Sequence, residues 1–102
     1  MYAAFRRGKV QSEKADEVLQ HIRENVLPLV RKVPGFLSFY AVKLGEDDII
    51  TVSVFETQAQ ADESSKVAAA WVLAHIAPLL AGPLDISGGK VVIHAGTSIS
   101  SM

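Results

Sequence analysis

The sequence contains no cysteine. That excludes a disulfide scaffold, a thiol nucleophile, a Cys-ligated zinc site and an iron–sulfur cluster. It also has no excess of either charge: 10 Lys+Arg stand against 11 Asp+Glu, a formal net charge of −1. A nearly neutral chain offers no electrostatic footprint for nucleic acid or an anionic membrane. No apolar run reaches the roughly 18–20 residues that span a bilayer. The longest candidate, Val67 to Leu80, is interrupted by His75 and Pro78. At the start, Phe5-Arg6-Arg7 places charge after the apolar residues, the reverse of a secretory signal. The expectation is a cytoplasmic protein. No low-complexity linker divides the 102 residues. They read as one domain over residues 2–95, followed by a small, polar, flexible tail at 96–102.

What is abundant is apolar: 49% of the residues. After a short β-compatible stretch at residues 2–10, Ala15, Val18, Leu19, Ile22, Val26, Leu29, Val30 and Val33 recur at helical spacing. Ser12 is the expected N-cap, with acidic residues in the first turn. Pro28 removes one backbone donor and is expected to kink this helix or weaken its last turn. Pro34-Gly35 ends it. Residues 36–44 and 49–56 read as strands joined by the turn Gly45-Glu46-Asp47-Asp48, an antiparallel hairpin. Thr57 and Gln60 have capping-box spacing at the start of a second helix, which runs to about Ala77. Leu84 to Gly89 reads as a loop that can start extended, and Lys90 to Ala95 as the last strand.

The order β-α-β-β-α-β is the ferredoxin-like plan, an α+β fold with a four-stranded antiparallel sheet and two helices on one face. The strands are apolar on both faces. Phe36, Tyr40, Val42 and Leu44 alternate with Leu37, Phe39 and Ala41, while Ile50, Val52 and Val54 oppose Ile49 and Phe55, which flank Thr51 and Ser53. Residues 91–95 are also apolar on both faces, apart from His94. Helices cover only one face of such a sheet. A second copy of the sheet is the simplest cover for the other, so a homodimer joined through the sheet face is expected.

The run Val33-Pro34-Gly35-Phe36-Leu37-Ser38-Phe39-Tyr40, the hairpin ending Val54-Phe55-Glu56-Thr57, and a second helix with Ala-rich turns and Trp71-Val72 resemble the antibiotic biosynthesis monooxygenase (ABM) domain of the dimeric α+β barrel superfamily. The resemblance covers about residues 2–95. It implies a dimer whose sheets form a barrel and a pocket between each sheet and its own helices. It also implies cofactor-independent monooxygenation of a small aromatic quinol or anthrone-like substrate. The alternative is a non-catalytic dimeric module that binds a small ligand or serves in stress. Haem-degrading members use an Asn on the first strand and a His well beyond the Trp. This chain has no Asn on its first strand, and His75 follows Trp71 by one turn. Anthrone-oxidising members pair their Trp with an Asn on the second helix, which has none here.

Trp71 and His75, four apart on the second helix, form the candidate catalytic pair, an aromatic platform beside an imidazole. The same spacing suits a Trp packed on a neighbouring subunit or loop and a His capping a helix-end carbonyl. Ser64 falls near the same flank. Tyr40 and Phe36, expected on one strand face with Tyr2 beside them, are candidate substrate-binding residues, the phenol suiting a quinol. His94 projects from the expected last strand, toward either a pocket or a structural hydrogen bond. Asn25 borders the apolar stripe of the first helix. Arg6 and Arg7 point to opposite faces of the first strand, where one holds an acidic ligand or an ion pair across a dimer, or both lie at the surface. His21, between Glu17 and Glu24, reads as a surface residue. The three histidines lack zinc spacing, so no metal site is expected. Ser87-Gly88-Gly89-Lys90 matches a phosphate loop only in its Gly-Lys pair, and no Gly-x-Gly-x-x-Gly or nucleophile elbow occurs. No cofactor is expected.

Overall fold

The structure, a computed structural model, describes residues 1–96. The tail expected at 96–102 lies outside them beyond Gly96. The elements run β1 (Tyr2–Lys9), α1 (Ala15–His21), a π-helical turn (Ile22–Val26), α2 (Leu27–Arg31), β2 (Phe36–Lys43), β3 (Asp48–Phe55), α3 (Gln58–His75), a 3-10 turn (Ala77–Leu79) and β4 (Asp85–Lys90). The sheet is antiparallel in the order β2-β3-β1-β4, the ferredoxin-like arrangement.

The first helix departs from expectation at both ends of its opening half. Ser12 is not its N-cap. Residues 11–14 close a turn, Lys14 N donating to Gln11 O at 3.0 Å with Glu13 at φ 64°. Lys14 therefore stands at the cap position, without a side-chain cap bond. Pro28 does not kink the rod as such. The preceding turn widens to π geometry, with Leu27 N donating to Ile22 O, and Pro28 falls in the first turn of α2, where a missing N–H costs little. The stripe still faces inward: Ala15, Val18, Ile22, Val26, Val30 and Val33 are all buried. The capping box at α3 forms as expected. Thr57 Oγ1 accepts from Gln60 N at 3.3 Å, and Gln60 Oε1 accepts from Thr57 N at 3.1 Å. Gly35, at φ 84°, makes the reversal into β2, and the Gln60 side chain occupies the space a Cβ would need.

Two strand expectations are corrected. A bulge between Phe36 and Ser38 shifts the β2 register, pairing Phe36 with Phe55 but Tyr40 with Val52. Phe36 and Tyr40 therefore lie on opposite faces. Tyr2, also opposite Phe55, keeps company with Phe36 and not with Tyr40. The last strand is Asp85–Lys90, the segment expected to be a loop. Its position follows from the β1 register. Ala81 N donates to Lys9 O, Asp85 pairs with Arg7, and by Lys90 the strand has reached Tyr2. Val91 N donates to Met1 O at 3.0 Å, just outside both strands. Val92 and Ile93 are 84% exposed, and His94 lies beyond the strand. Gly88 is suited to this strand because β4 lies close on β1 there. A Cβ on Gly88 would sit 2.9 Å from Ala3 O and 3.2 Å from the Tyr2 ring.

Paired positions sort the sheet into two faces. Tyr2, Ala4, Arg6 and Gly8 of β1 share the helix side with Phe55, Ser53, Thr51 and Ile49 of β3. The core lies here, with Phe55 and Val30 fully buried. The other face carries Phe5, Tyr40, Val42, Ile50, Val52 and Val54. Among the described residues no helix covers it, and Tyr40 is 58% exposed.

Candidate functional site

A cavity of about 50 Å³ lies between the sheet and the helices. Val18, Ile22 and Val26 close it on one side, and Ala68 and Val72 of α3 with Ile76 at its C-cap close it on another. Its floor is the helix side of β1 and β3. At one end stands Leu84, so close to β1 that a Cβ on Gly8 would lie 2.9 Å from its Cδ2. The lining is aliphatic except at Arg6 and Thr51.

Arg6 is the unexpected member. It is 5% exposed, on the face of β1 where the alternation calls for an apolar residue. Nε donates to Thr51 Oγ1 at 3.0 Å, Nη1 to Ser65 Oγ at 3.0 Å and Nη2 to Ser53 Oγ at 2.9 Å. Ser53 and Ser64 share a hydrogen bond of 3.0 Å, and Ser64 Oγ donates to Ala61 O at 2.6 Å. Every acceptor of the guanidinium is thus a neutral hydroxyl. Among the described residues no carboxylate forms an ion pair with it. Burial pushes the Arg6 pKa down to about 10, which leaves it charged at neutral pH. Arg7, on the opposite face as expected, has an ordinary partner: it meets Asp48 Oδ2 at 2.7 Å. Lys9 reaches the same oxygen at 3.3 Å. These two cations hold the Asp48 carboxyl below the usual carboxylate range, the hydrogen bond from Arg7 being the main cause.

The candidates from the sequence are scattered around this cavity. Trp71 and His75 do come together, their rings stacked 4.5 Å apart at 15°, but neither lines the cavity. Trp71 is half-buried between His75 and His21 of α1, whose ring lies 5.8 Å away. His75 is exposed, and its Nδ1 lies 2.9 Å from Trp71 O, the helix-end carbonyl contact. Ser64 is buried behind Ser53, one hydrogen bond removed from Arg6. Asn25 is half-buried in the π turn and does not line this cavity. Phe36 packs edge-on against Phe55 at 5.8 Å, while Tyr40 stands on the open sheet face.

The signal for Arg6 was present in the sequence. Thr51 and Ser53 interrupt the helix side of β3, and Ser64-Ser65 interrupt the buried stripe of α3. Small hydroxyls converging from two elements on an apolar layer need a polar partner, and Arg6 is the one residue of β1 placed to supply it. Across Ala69 and Ser65 the site borders an open cleft of about 430 Å³ between α3 and β4, lined also by Tyr2, Ile86 and Gly88.

The profile of the family described as antibiotic biosynthesis monooxygenase matches residues 1–70. No curated protein matches the chain. Similar solved structures include NE2512, a protein of unknown function from Nitrosomonas europaea (21% identity, 95% of this chain and 94% of that one, TM-score 0.74). Another is the monooxygenase ActVA-Orf6 of Streptomyces coelicolor in complex with nanaomycin D (17% identity, 95% and 92%, TM-score 0.70). A third is a variant of MhuD with two manganese protoporphyrin IX molecules bound per active site (21% identity, 95% and 100%, TM-score 0.72). At these identities the likeness is one of fold. Among the described residues no group of three or more His, Asp or Glu is placed to hold a metal ion, and no helix is long and apolar enough to cross a membrane.

Proposed function

The chain belongs to the antibiotic biosynthesis monooxygenase family, and on that footing we propose that it is a cofactor-independent monooxygenase acting on a small aromatic quinol or anthrone-like substrate. The observation that carries this reading is the aliphatic cavity between sheet and helices. Its volume of about 50 Å³ is a third of the roughly 150 Å³ that admits benzene. A ring is therefore accommodated only as Leu84 yields or as the space opens across Ala69 toward the cleft. ActVA-Orf6, a monooxygenase of the same fold, supports the reading in that it holds the ligand nanaomycin D.

The reaction needs an electron-rich anion and dioxygen in a dry place. For an anthrone-type methylene, loss of a proton gives a carbanion that passes an electron to dioxygen. Recombination forms a C–O bond to a hydroperoxide, and loss of water leaves the ketone: R2CH2 + O2 gives R2CO + H2O. Aliphatic walls contribute by excluding water, which strengthens every charge interaction within. No imidazole lines this cavity, so the substrate enters already ionised or ionises against the charge of Arg6. Haem chemistry is not part of the proposal, because β1 carries no Asn, the residue that haem-degrading members use on that strand.

The working unit is a homodimer joined through the open sheet face. Phe5 and Tyr40 both pair with Val52 there and form an apolar centre that the helices leave bare. The test of function is oxygen uptake over a panel of hydroquinones and anthrones, with Ala68→Leu filling the cavity. Uptake that Ala68→Leu abolishes supports the reading. No rate above background across the panel overturns it and leaves a ligand-binding module.

A further inference from the structure

Arg6 presents a charge that the fold itself leaves unanswered. Buried cations are almost always paired with a carboxylate. Arg6 is 5% exposed and meets only Thr51, Ser53 and Ser65 hydroxyls. The carboxylates nearest in the sheet register lie on the other face: Asp48 is held by Arg7 and Lys9, and Asp85 stands opposite Arg7. A guanidinium has five N–H groups. Three are accounted for, leaving one on each Nη without a protein acceptor among the described residues. The residue lines the cavity, where the only other polar side chain is Thr51, already bound to Nε.

We infer that Arg6 is an anion-recognition residue: the cavity takes a monoanionic oxygen group, a carboxylate or an ionised hydroxyl, carried by an otherwise apolar ligand. This rests on the cavity being the ligand site of the proposed function, though not on any oxidation taking place there.

Three features fit that ligand class. One uncompensated positive charge matches one negative charge, so a doubly charged phosphate is under-neutralised. The remaining N–H groups, on two nitrogens of one planar fork, suit the two oxygens of a carboxylate or a single oxyanion shared between them. The walls beyond Arg6 are aliphatic, so a free inorganic ion gains nothing from them, whereas the body of an aromatic acid or phenolate does. The neutral hydroxyls fix the orientation of the fork without spending its charge. Burial already lowers the affinity of Arg6 for its proton, and a bound anion reverses that tendency.

The experiment is calorimetric titration of the full chain at pH 7.5 with 1-naphthoate and with its neutral counterpart 1-naphthamide. Wild type is expected to bind naphthoate at least tenfold more tightly than the amide. Arg6→Met is expected to lose that preference and still bind the amide. Arg6→Lys keeps the charge but loses the fork, so naphthoate weakens at least threefold while the amide is unchanged. This variant carries the test if Arg6→Met does not fold. Equal affinities in wild type, no naphthoate binding at millimolar concentration, or unchanged naphthoate binding in the variants overturns the inference. A response to formate or chloride equal to that of naphthoate also overturns it, since the site is then one for small ions only. Naphthoate is not a quinol, so its binding is scored without turnover. Oxygen uptake that fails while naphthoate binding holds removes the oxygenase reading alone.

Discussion

Arg6→Met should leave a folded protein, and the size of its effect follows from what surrounds the guanidinium. Burial lowers the pKa well below the ordinary guanidinium value, to about 10. At about 1.4 kcal/mol per unit, the charged form opposes folding by about 3 kcal/mol. Against this stand three hydrogen bonds from a charged donor, each worth about 1.5 kcal/mol at the low end suited to neutral hydroxyl acceptors, or about 4.5 kcal/mol together. The balance in favour of Arg6 is about 1.5 kcal/mol. Breaking a buried ion pair would instead cost about 3–5 kcal/mol. Methionine has similar length, and Ser53 and Ser64 retain each other at 3.0 Å. For a domain of this size the expected drop in Tm is roughly 6–12 °C. Far-UV circular dichroism on heating measures it. The sign of the pH dependence is also determined. Below pH 10 the guanidinium is protonated both folded and unfolded, so the difference between wild type and variant is flat from pH 5 to 9. Above about 10 the unfolded chain binds more protons than the folded one, and wild type gains stability as the pH rises. A drop beyond roughly 20 °C, or a variant that cannot fold, would refute the reasoning. It would mean that the guanidinium contributes more to the fold than its three hydroxyl contacts account for.

Further outcomes follow from the same contacts. Val52→Asp, placed between Phe5 and Tyr40 on the open face, should convert a dimer to a monomer in sedimentation experiments. A wild type already monomeric at micromolar concentration removes the dimer proposal. Asp48→Asn loses the partner of Arg7 and Lys9 and lowers Tm at neutral pH. Because the folded carboxyl titrates below its usual 3.8, wild type loses this advantage as the pH falls through that range, and the two melting curves converge. Thr57→Ala removes one arm of the capping box and should cost about 1 kcal/mol, read as a fall of roughly 4–8 °C in Tm. His75→Ala unstacks the ring 4.5 Å from Trp71 and should change its fluorescence while leaving oxygen uptake intact. A matching loss of uptake would return the imidazole to the chemistry.

Local signals were legible wherever the chain decides its own conformation. The Thr57–Gln60 box, the Pro34-Gly35 break and the i, i+3, i+4 stripe from Ala15 to Val33 are short-range matters, and each stands where the residues placed it. So does the split of β3 into Ile50, Val52 and Val54 on one face and Ile49, Thr51, Ser53 and Phe55 on the other. The candidate site was legible only in part. The Trp71–His75 stack was expected from helical spacing, but spacing says nothing of which side of the rod meets a cavity. That depends on where α1 lies, and α1 places His21 against the outer side of Trp71.

By itself, the sequence determined the α+β class, the element order, the two-faced apolar sheet and the family. These depend on periodicity and turn chemistry, which are properties of neighbours along the chain. Tertiary structure decided the rest through register. The bulge at Phe36–Ser38 turned Phe36 inward and Tyr40 outward, and the antiparallel pairing with a β1 that begins at Tyr2 placed β4 at Asp85–Lys90. Register also brought Arg6 opposite Thr51, with Ser53 and Ser65 in reach. Alternation along one strand counts only inward and outward positions. Which polar groups meet in the interior is a property of partners distant in sequence, and only the folded sheet brings them together.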